Sequence, residues 1–160
     1  MAKPEPKKRK QKYADLDAMM SDVRSLLETG YTSHGNWNLG QSAYHVGEWM
    51  RFPMDGFPKP PLLIGAMMWV MKYTVAPGMK RKIFAEGFSG GMPTAPETVS
   101  QPDAVSDSQA VEQLQKIVDR LSAFDGDLIP SPLFGKMDIE MATKVALLHG
   151  EHHFGYLEPK

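Results

Sequence analysis

The chain has 160 residues and no cysteine, so one domain with a substantial apolar core is expected, while disulfides, thiolate metal sites and a cysteine nucleophile are excluded. The net charge of −1 hides an asymmetry, because residues 1–12 carry six basic side chains and one acidic, whereas residues 13–160 carry 12 basic and 18 acidic. An acidic body argues against nucleic-acid binding, which needs a basic face.

The first twelve residues combine their six cations with two prolines and no apolar run. This composition predicts a disordered, solvated basic tail, and the folded domain is expected over residues 13–160. No apolar segment follows that would serve as a secretory signal, and the longest apolar stretch, residues 62–71, is well short of the roughly 20 residues of a spanning helix. We therefore expect a soluble, cytoplasmic protein without a membrane partner; a homodimer is compatible with the sequence.

Apolar residues at helical spacing predict several helices along residues 13–160. In chain order they lie between an Asp15 cap and Gly30, from about Leu39 to near Pro53, over 62–74 and 77–86, from a cap at Ser106 or Asp107 to about Phe124, and from about Asp138 to Leu157. The segment 87–103 is rich in Gly and Pro and predicts a long surface connection. No stretch alternates at period two, so we predict an all-α four-helix bundle with one long crossover that contains extra helical turns.

Histidines near the end of the chain have the spacing of metal ligands. His149 and His153 are four residues apart, which places both imidazoles on one face of a helix. His45 lies on an otherwise apolar helical face that a bundle can set opposite the last helix, and bundles build metal sites from facing helices in this way. His152 would flank the site, about 60° round the helix from His149, and Glu151 would point elsewhere.

A carboxylate close to His45 is the candidate catalytic base. Glu48 follows His45 by three residues, so its side chain lies about 60° round the same helix, within reach of a metal or of a metal-bound water. A solvated surface glutamate is the alternative interpretation of the same position.

Three groups of residues together resemble the DinB-like superfamily of four-helix metalloproteins, and more narrowly one of its uncharacterised bacterial branches. They are the opening Trp37, Gln41, His45 and Val46, the turn formed by Pro130 or Pro132 with Phe134 and Gly135, and the closing His149, His152 and His153. The resemblance covers roughly residues 15–157. It implies an up-down-down-up bundle with a metal held by His45, His149 and His153.

Relatives within that superfamily include thiol-dependent enzymes, such as mycothiol-dependent maleylpyruvate isomerase and bacillithiol transferases. The resemblance therefore implies a metal-dependent enzyme, either a hydrolase or a thiol-dependent transferase, in which zinc, or else nickel, activates water or a low-molecular-weight thiol for reaction with a small-molecule substrate. No basic cluster in the sequence marks a site for the carboxylates of such a thiol. Two alternatives stay open: a metal-containing module that binds a small ligand without turnover, and a metal-free helical protein.

Overall fold

The structure, a computed structural model, describes residues 7–91 and 94–160, except for the side chain of Ile64. It confirms an all-α bundle. The helices and strands, in chain order, are α1 (Leu16–Thr29), β1 (Tyr31–Ser33), α2 (Leu39–Asp55), α3 (Leu62–Thr74), α4 (Ala76–Glu86), a short 3₁₀ helix (Pro96–Thr98), α5 (Asp107–Ser122), α6 (Ile139–Phe154) and β2 (Leu157–Pro159).

Side-chain caps determine where the long helices begin. The carboxylate of Asp15 accepts a hydrogen bond of 2.7 Å from the backbone N–H of Ala18 at the start of α1. Ser106, one of the two predicted caps of α5, accepts from the backbone N–H of Gln109, whose side chain accepts in return from the backbone of Ser106. These bonds satisfy backbone donors that the first turn of a helix leaves free, and so confirm the predicted starts.

The four long helices α1, α2, α5 and α6 surround one apolar core. Helices α2 and α5 run in the same direction, because the N–H of Gly40 meets Asp107 at their first turns (2.7 Å) and Arg120 meets Asp55 at their last. Helix α1 packs closely on α6 at Gly150, where a β-carbon would lie 2.5 Å from the sulfur of Met19. Gly150 therefore allows α1 to approach α6 closely, and α6 carries the candidate ligands His149 and His153.

Two predicted helix ends differ from the structure. Helix α2 continues two residues past Pro53 and stops at Gly56, which has φ 114°. A proline in the last turn removes a single hydrogen bond, so it does not end the helix by itself. Helix α6 stops at Phe154, because the next residues form β2, which pairs antiparallel with β1. Each strand has three residues, too few for an alternating pattern to be recognised.

The crossover between α2 and α5 contains α3, α4 and the 3₁₀ helix, as predicted. Helix α4 is attached to the bundle through the buried side chain of Ile83 and through Phe84, whose ring contacts that of Phe134. Helix α3 packs mainly on α4. Within the described residues, no helix combines the length and the apolar character needed to cross a membrane.

The N-terminal segment, residues 7–13, lies along the end of α6 and the side of α1. Arg9 forms a bidentate ion pair with Asp22, with both bonds at 2.9 Å, and its backbone N–H donates to the carbonyl of Gly155. Lys12 and the backbone N–H of Tyr13 both bind the carboxylate of Glu151. Residues 7–12 therefore make contacts that the prediction of a disordered, solvated tail did not include, because acidic groups of the body attract its cations; residues 1–6 lie outside the described residues.

Candidate metal centre

Three histidines from α2 and α6 bring their ring nitrogens together inside the bundle. Nε2 of His149 lies 3.1 Å from Nε2 of His45 and 3.1 Å from Nε2 of His153. The three candidate ligand atoms all lie within 4.8 Å of one another. A tetrahedral ion with bonds of about 2.05 Å to imidazole nitrogen holds neighbouring nitrogens about 3.3 Å apart. Two of the three separations are close to this value, so the group predicted from helical spacing could hold a metal ion.

The 3₁₀ helix holds the ring of His45 in one tautomer. Nδ1 of His45 lies 3.2 Å from the carbonyl oxygen of Thr98 and 3.0 Å from its hydroxyl. The hydroxyl donates to the carbonyl of Ala95 at 2.7 Å, and a carbonyl oxygen only accepts, so Nδ1 of His45 carries the hydrogen and donates. Nε2 is left with a free lone pair directed at His149, which is the arrangement that metal-binding histidines require.

Burial lowers the pKa of every histidine around the site. The pKa of His45 falls to about 4, chiefly because the buried ring disfavours a charge. Burial also lowers the pKa of His149 and of His153, and the neighbouring imidazoles lower both further. The pKa of His152 falls to about 4 through burial and, secondarily, through the charge of Lys8. All four rings are therefore neutral near pH 7, the form that binds a metal.

Two tryptophans enclose the three ligands. The indole of Trp37 stacks on the ring of His153, with centroids 5.1 Å apart and planes inclined by 16°, and also contacts His45 at 4.8 Å. Trp49 presents its edge to His45 and His149, each at 6.4 Å between centroids. These aromatic contacts restrict the orientation of the imidazoles and keep water from one side of the site.

A cavity of about 990 Å³ opens beside the three histidines. Its volume reaches the upper end of the range typical of small-molecule sites, about 300–1,000 Å³. Of the residues in the described ranges 7–91 and 94–160, no Asp or Glu lines the cavity. Besides the histidines, aliphatic and small polar residues and six aromatic side chains line it; the aromatic ones are Trp37, Trp49, Phe57, Phe88, Phe134 and Tyr156. A small, largely apolar molecule would fit next to the open side of a metal held here.

Lys8 brings a positive charge to the wall of this cavity. Its Nζ lies 3.2 Å from Nδ1 of His152 and 5.5 Å from the centre of the Tyr156 ring. An ammonium only donates, so Nδ1 of His152 accepts. Among the described residues, three neighbours of Lys8 form ion pairs with carboxylates and Lys8 does not; those neighbours are Lys7, Arg9 and Lys12.

The structure does not bring Glu48 to the metal site. Its carboxylate binds the guanidinium of Arg51, at 2.6 Å to Nη2 and 3.1 Å to Nε, and it does not line the cavity. Because Glu48 lies about 60° round α2 from His45, its carboxylate points to Arg51, three residues further along the same helix. Two expectations for α6 are confirmed: His152 flanks the three histidines, and Glu151 points to the N-terminal segment.

Two functional side chains escaped the sequence analysis because each lies on a segment interpreted as surface. Thr98 belongs to the Gly- and Pro-rich connection, yet it is fully buried against His45. Lys8 belongs to the basic N-terminal segment, whose composition gave no sign of docking. The one available signal was the contrast between this basic segment and the acidic body, which indicates mutual attraction without giving a location.

The family model DUF1569, described as a protein of unknown function, matches residues 5–160. The chain belongs to this family. No curated protein and no solved structure matches the chain. The description of the DUF1569 family gives no activity, so a function has to be inferred from the geometry of the site.

Proposed function

We propose that this member of the DUF1569 family is a metal-dependent enzyme that acts on a small molecule, with zinc, or else nickel, held by His45, His149 and His153. The observation that carries the proposal is the convergence of three neutral imidazoles on the wall of a cavity large enough for a substrate. Three neutral ligands leave a divalent ion its full charge and an open position, as in catalytic rather than structural zinc sites. The resemblance to DinB-like metalloenzymes supports the same class of activity.

The residues around the ligands favour a thiol as the nucleophile. A bound ion of this kind lowers the pKa of a coordinated water or thiol, which supplies a nucleophile at neutral pH. The described lining includes no carboxylate base, and Nδ1 of His152 is already occupied by Lys8. The chain therefore offers little help with removing a proton. A thiol needs less help than water, because its ordinary pKa is already about 8.5.

Lys8 supports a thiol that carries a carboxylate. Its ammonium lies on the cavity wall beside His152 and, within the described residues, forms no ion pair with a carboxylate. Thiols derived from cysteine often bear a carboxylate at some distance from the sulfur, so the sulfur could reach the metal while the carboxylate pairs with Lys8. The aromatic walls would then receive an apolar electrophile as the second substrate.

The first test measures metal content and turnover together. Protein purified without a histidine tag is analysed for bound metals, stripped with a chelator, and reloaded with zinc or nickel. Glutathione and cysteine are then assayed with 1-chloro-2,4-dinitrobenzene, and an activated ester is assayed without a thiol. Metal-dependent consumption of a thiol supports the proposal. Ester hydrolysis alone would assign a metal-dependent hydrolase instead, and binding of thiols without turnover would favour a ligand-binding module.

A matched pair of variants tests the role of Lys8. Lys8→Gln should raise the KM for glutathione by about tenfold, because it removes one charge-assisted contact, and should leave the KM for 2-mercaptoethanol unchanged. Lys10→Gln removes an exposed cation from the same segment and should change neither value. An equal loss for both thiols would contradict recognition of a carboxylate. Absence of bound metal in both freshly purified and reloaded protein would contradict the proposed function as a whole.

A further inference from the structure

Helix α3 exposes an unusual amount of apolar surface. Of the ten large apolar side chains that are exposed in the described part of the chain, eight lie between residues 62 and 75, with exposures from 38 % to 92 %. They are Leu62, Leu63, Met67, Trp69, Val70, Met71, Tyr73 and Val75. A helix that is apolar on nearly every side normally lies inside a protein or in a membrane. Exposed clusters of this size mark surfaces that bind something else.

Cations flank this apolar surface, and acidic groups are nearly absent from the same stretch. Residues 56–87 contain five basic side chains and one acidic, whereas the rest of residues 13–160 contains 7 basic and 17 acidic. Lys59, Lys72, Arg81 and Lys82 are all exposed. None of these four forms an ion pair with a carboxylate of the described residues. The positive charge of the crossover is therefore free to meet a negative partner.

Helix α3 is connected to the bundle through α4. Helix α4 buries Ile83, and Lys80 of the same helix donates a hydrogen bond of 3.2 Å to the carbonyl of Phe134. Helix α3 leads into α4 through Val75, whose N–H donates to the carbonyl of Met71 and whose carbonyl accepts from the N–H of Met79. The bundle thus holds the crossover in place while most of α3 faces outward.

We propose that α3 and the exposed cations beside it bind the surface of an anionic lipid bilayer. With 13 residues the helix is about 20 Å long, too short to cross the apolar core of a bilayer but long enough to lie in its interface. Interfacial helices bind through buried apolar side chains together with Lys and Arg that attract anionic headgroups. Trp69 and Tyr73 have the amphipathic rings that are enriched at this depth. The inference departs from the expectation of no membrane partner, which considered only spanning segments.

A second copy of the chain fits the same surface less well. Two α3 helices packed face to face in a symmetric dimer would bring their cations together, since a two-fold axis presents the same patch on both sides. The repulsion would oppose the gain from apolar burial. An anionic bilayer satisfies the apolar side chains and the cations at once.

The test measures sedimentation of the full-length, untagged protein with vesicles. Binding is expected to vesicles of phosphatidylcholine mixed with phosphatidylserine and to be much weaker to phosphatidylcholine alone. Val70→Glu should weaken binding by about tenfold or more, because it places a charge in the apolar surface. Replacing Lys72 and Arg81 with Gln should weaken it by about fivefold for each cation removed. The controls are Ile129→Glu, at an exposed apolar position outside the patch, and Lys10→Gln, and both should bind like the unaltered protein.

A depth measurement identifies the side of the protein that touches the lipid. Brominated acyl chains should quench tryptophan fluorescence in the unaltered protein, and Trp69→Phe should abolish the quenching even though Trp37 and Trp49 remain. Circular dichroism verifies that each variant is folded. Equal binding to both kinds of vesicle, or full binding by Val70→Glu, would overturn the proposal. A stable dimer in solution that Val70→Glu converts to a monomer would overturn it in favour of a second copy.

Discussion

The backbone carbonyl and the hydroxyl of Thr98 both accept from Nδ1 of His45, at 3.2 Å and 3.0 Å, and so direct the opposite nitrogen of that ring at His149. A residue of the long crossover thereby controls a ligand on α2. The crossover between α2 and α5 therefore contributes to the orientation of a candidate metal ligand.

Thr98→Val is expected to weaken metal binding by about tenfold. The substitution keeps the shape of the side chain and removes one acceptor, while the backbone carbonyl still accepts from His45, so the loss should lie at the low end of effects on residues that orient a ligand. Competition with a chromogenic chelator measures the affinity. Thr94→Val makes the same change at another position on the cavity wall and should have no effect. Equal metal affinity in the two variants would show that the Thr98 hydroxyl does not position His45.

Replacing His45 or His153 with Ala should lower the metal content of the purified protein by about tenfold or more, because two remaining nitrogens form a much weaker site than three. His152→Ala should lower it far less, since Nδ1 of His152 is bound by Lys8 and its ring does not belong to the group of three. Elemental analysis of untagged protein measures the content. Equal losses in all three variants would show that His152 is a ligand as well.

Arg9→Ala should destabilise the fold by about 1–2 kcal/mol and lower the melting temperature by several degrees. The substitution removes a bidentate partner from Asp22, whose side chain is only 21 % exposed, together with a hydrogen bond to the carbonyl of Phe154. Lys10→Ala, at an exposed position of the same segment, should leave the melting temperature unchanged. The melting temperatures of both variants are measured by thermal unfolding, with circular dichroism as the signal. An unchanged melting temperature for Arg9→Ala would mean that docking of residues 7–13 contributes nothing to stability.

Chelation should lower the melting temperature and leave the helical signal intact at room temperature. The four long helices bury a continuous apolar core without help from the site, so metal adds to stability by mass action and is not the source of folding. Far-ultraviolet circular dichroism with and without a strong chelator tests this. A chain that unfolds on chelation at neutral pH would make the site structural and count against an open catalytic position.

The metal-free protein should lose stability as the pH falls from about 6.5 to about 4. In the folded state the pKa of His45 is lowered to about 4, whereas in the unfolded chain it is about 6.5, so the unfolded state binds more protons across this interval. The free energy of unfolding should drop by about 3 kcal/mol at pH 4 through His45 alone. Urea denaturation at several pH values measures the slope, and His45→Asn should flatten it. A slope that the variant leaves unchanged would assign the effect to other groups.

The helical elements and the three candidate ligands could be predicted because both depend on local spacing. The interval from His149 to His153 is one helical turn wherever the helix lies, and His45 needed only a bundle to face them. The side chains around the ligands depend on packing between distant segments, which no local pattern encodes. Thr98 reaches His45 across 53 residues, and Lys8 reaches His152 across 144. The orientation of Glu48 depends on a neighbour in the same way, because the position of Arg51 decides which way its carboxylate turns.

The docking of residues 7–13 on α6 also limits when the last contacts of the fold can form. Arg9 is synthesised long before Gly155, so its hydrogen bond to the carbonyl of Gly155 can form only after the four long helices have been made. His45 likewise waits for partners 104 and 108 residues later in the sequence. Closing such long loops is slow compared with forming helices. The group of three histidines and the segment that brings Lys8 to the cavity should therefore be completed together, late in folding.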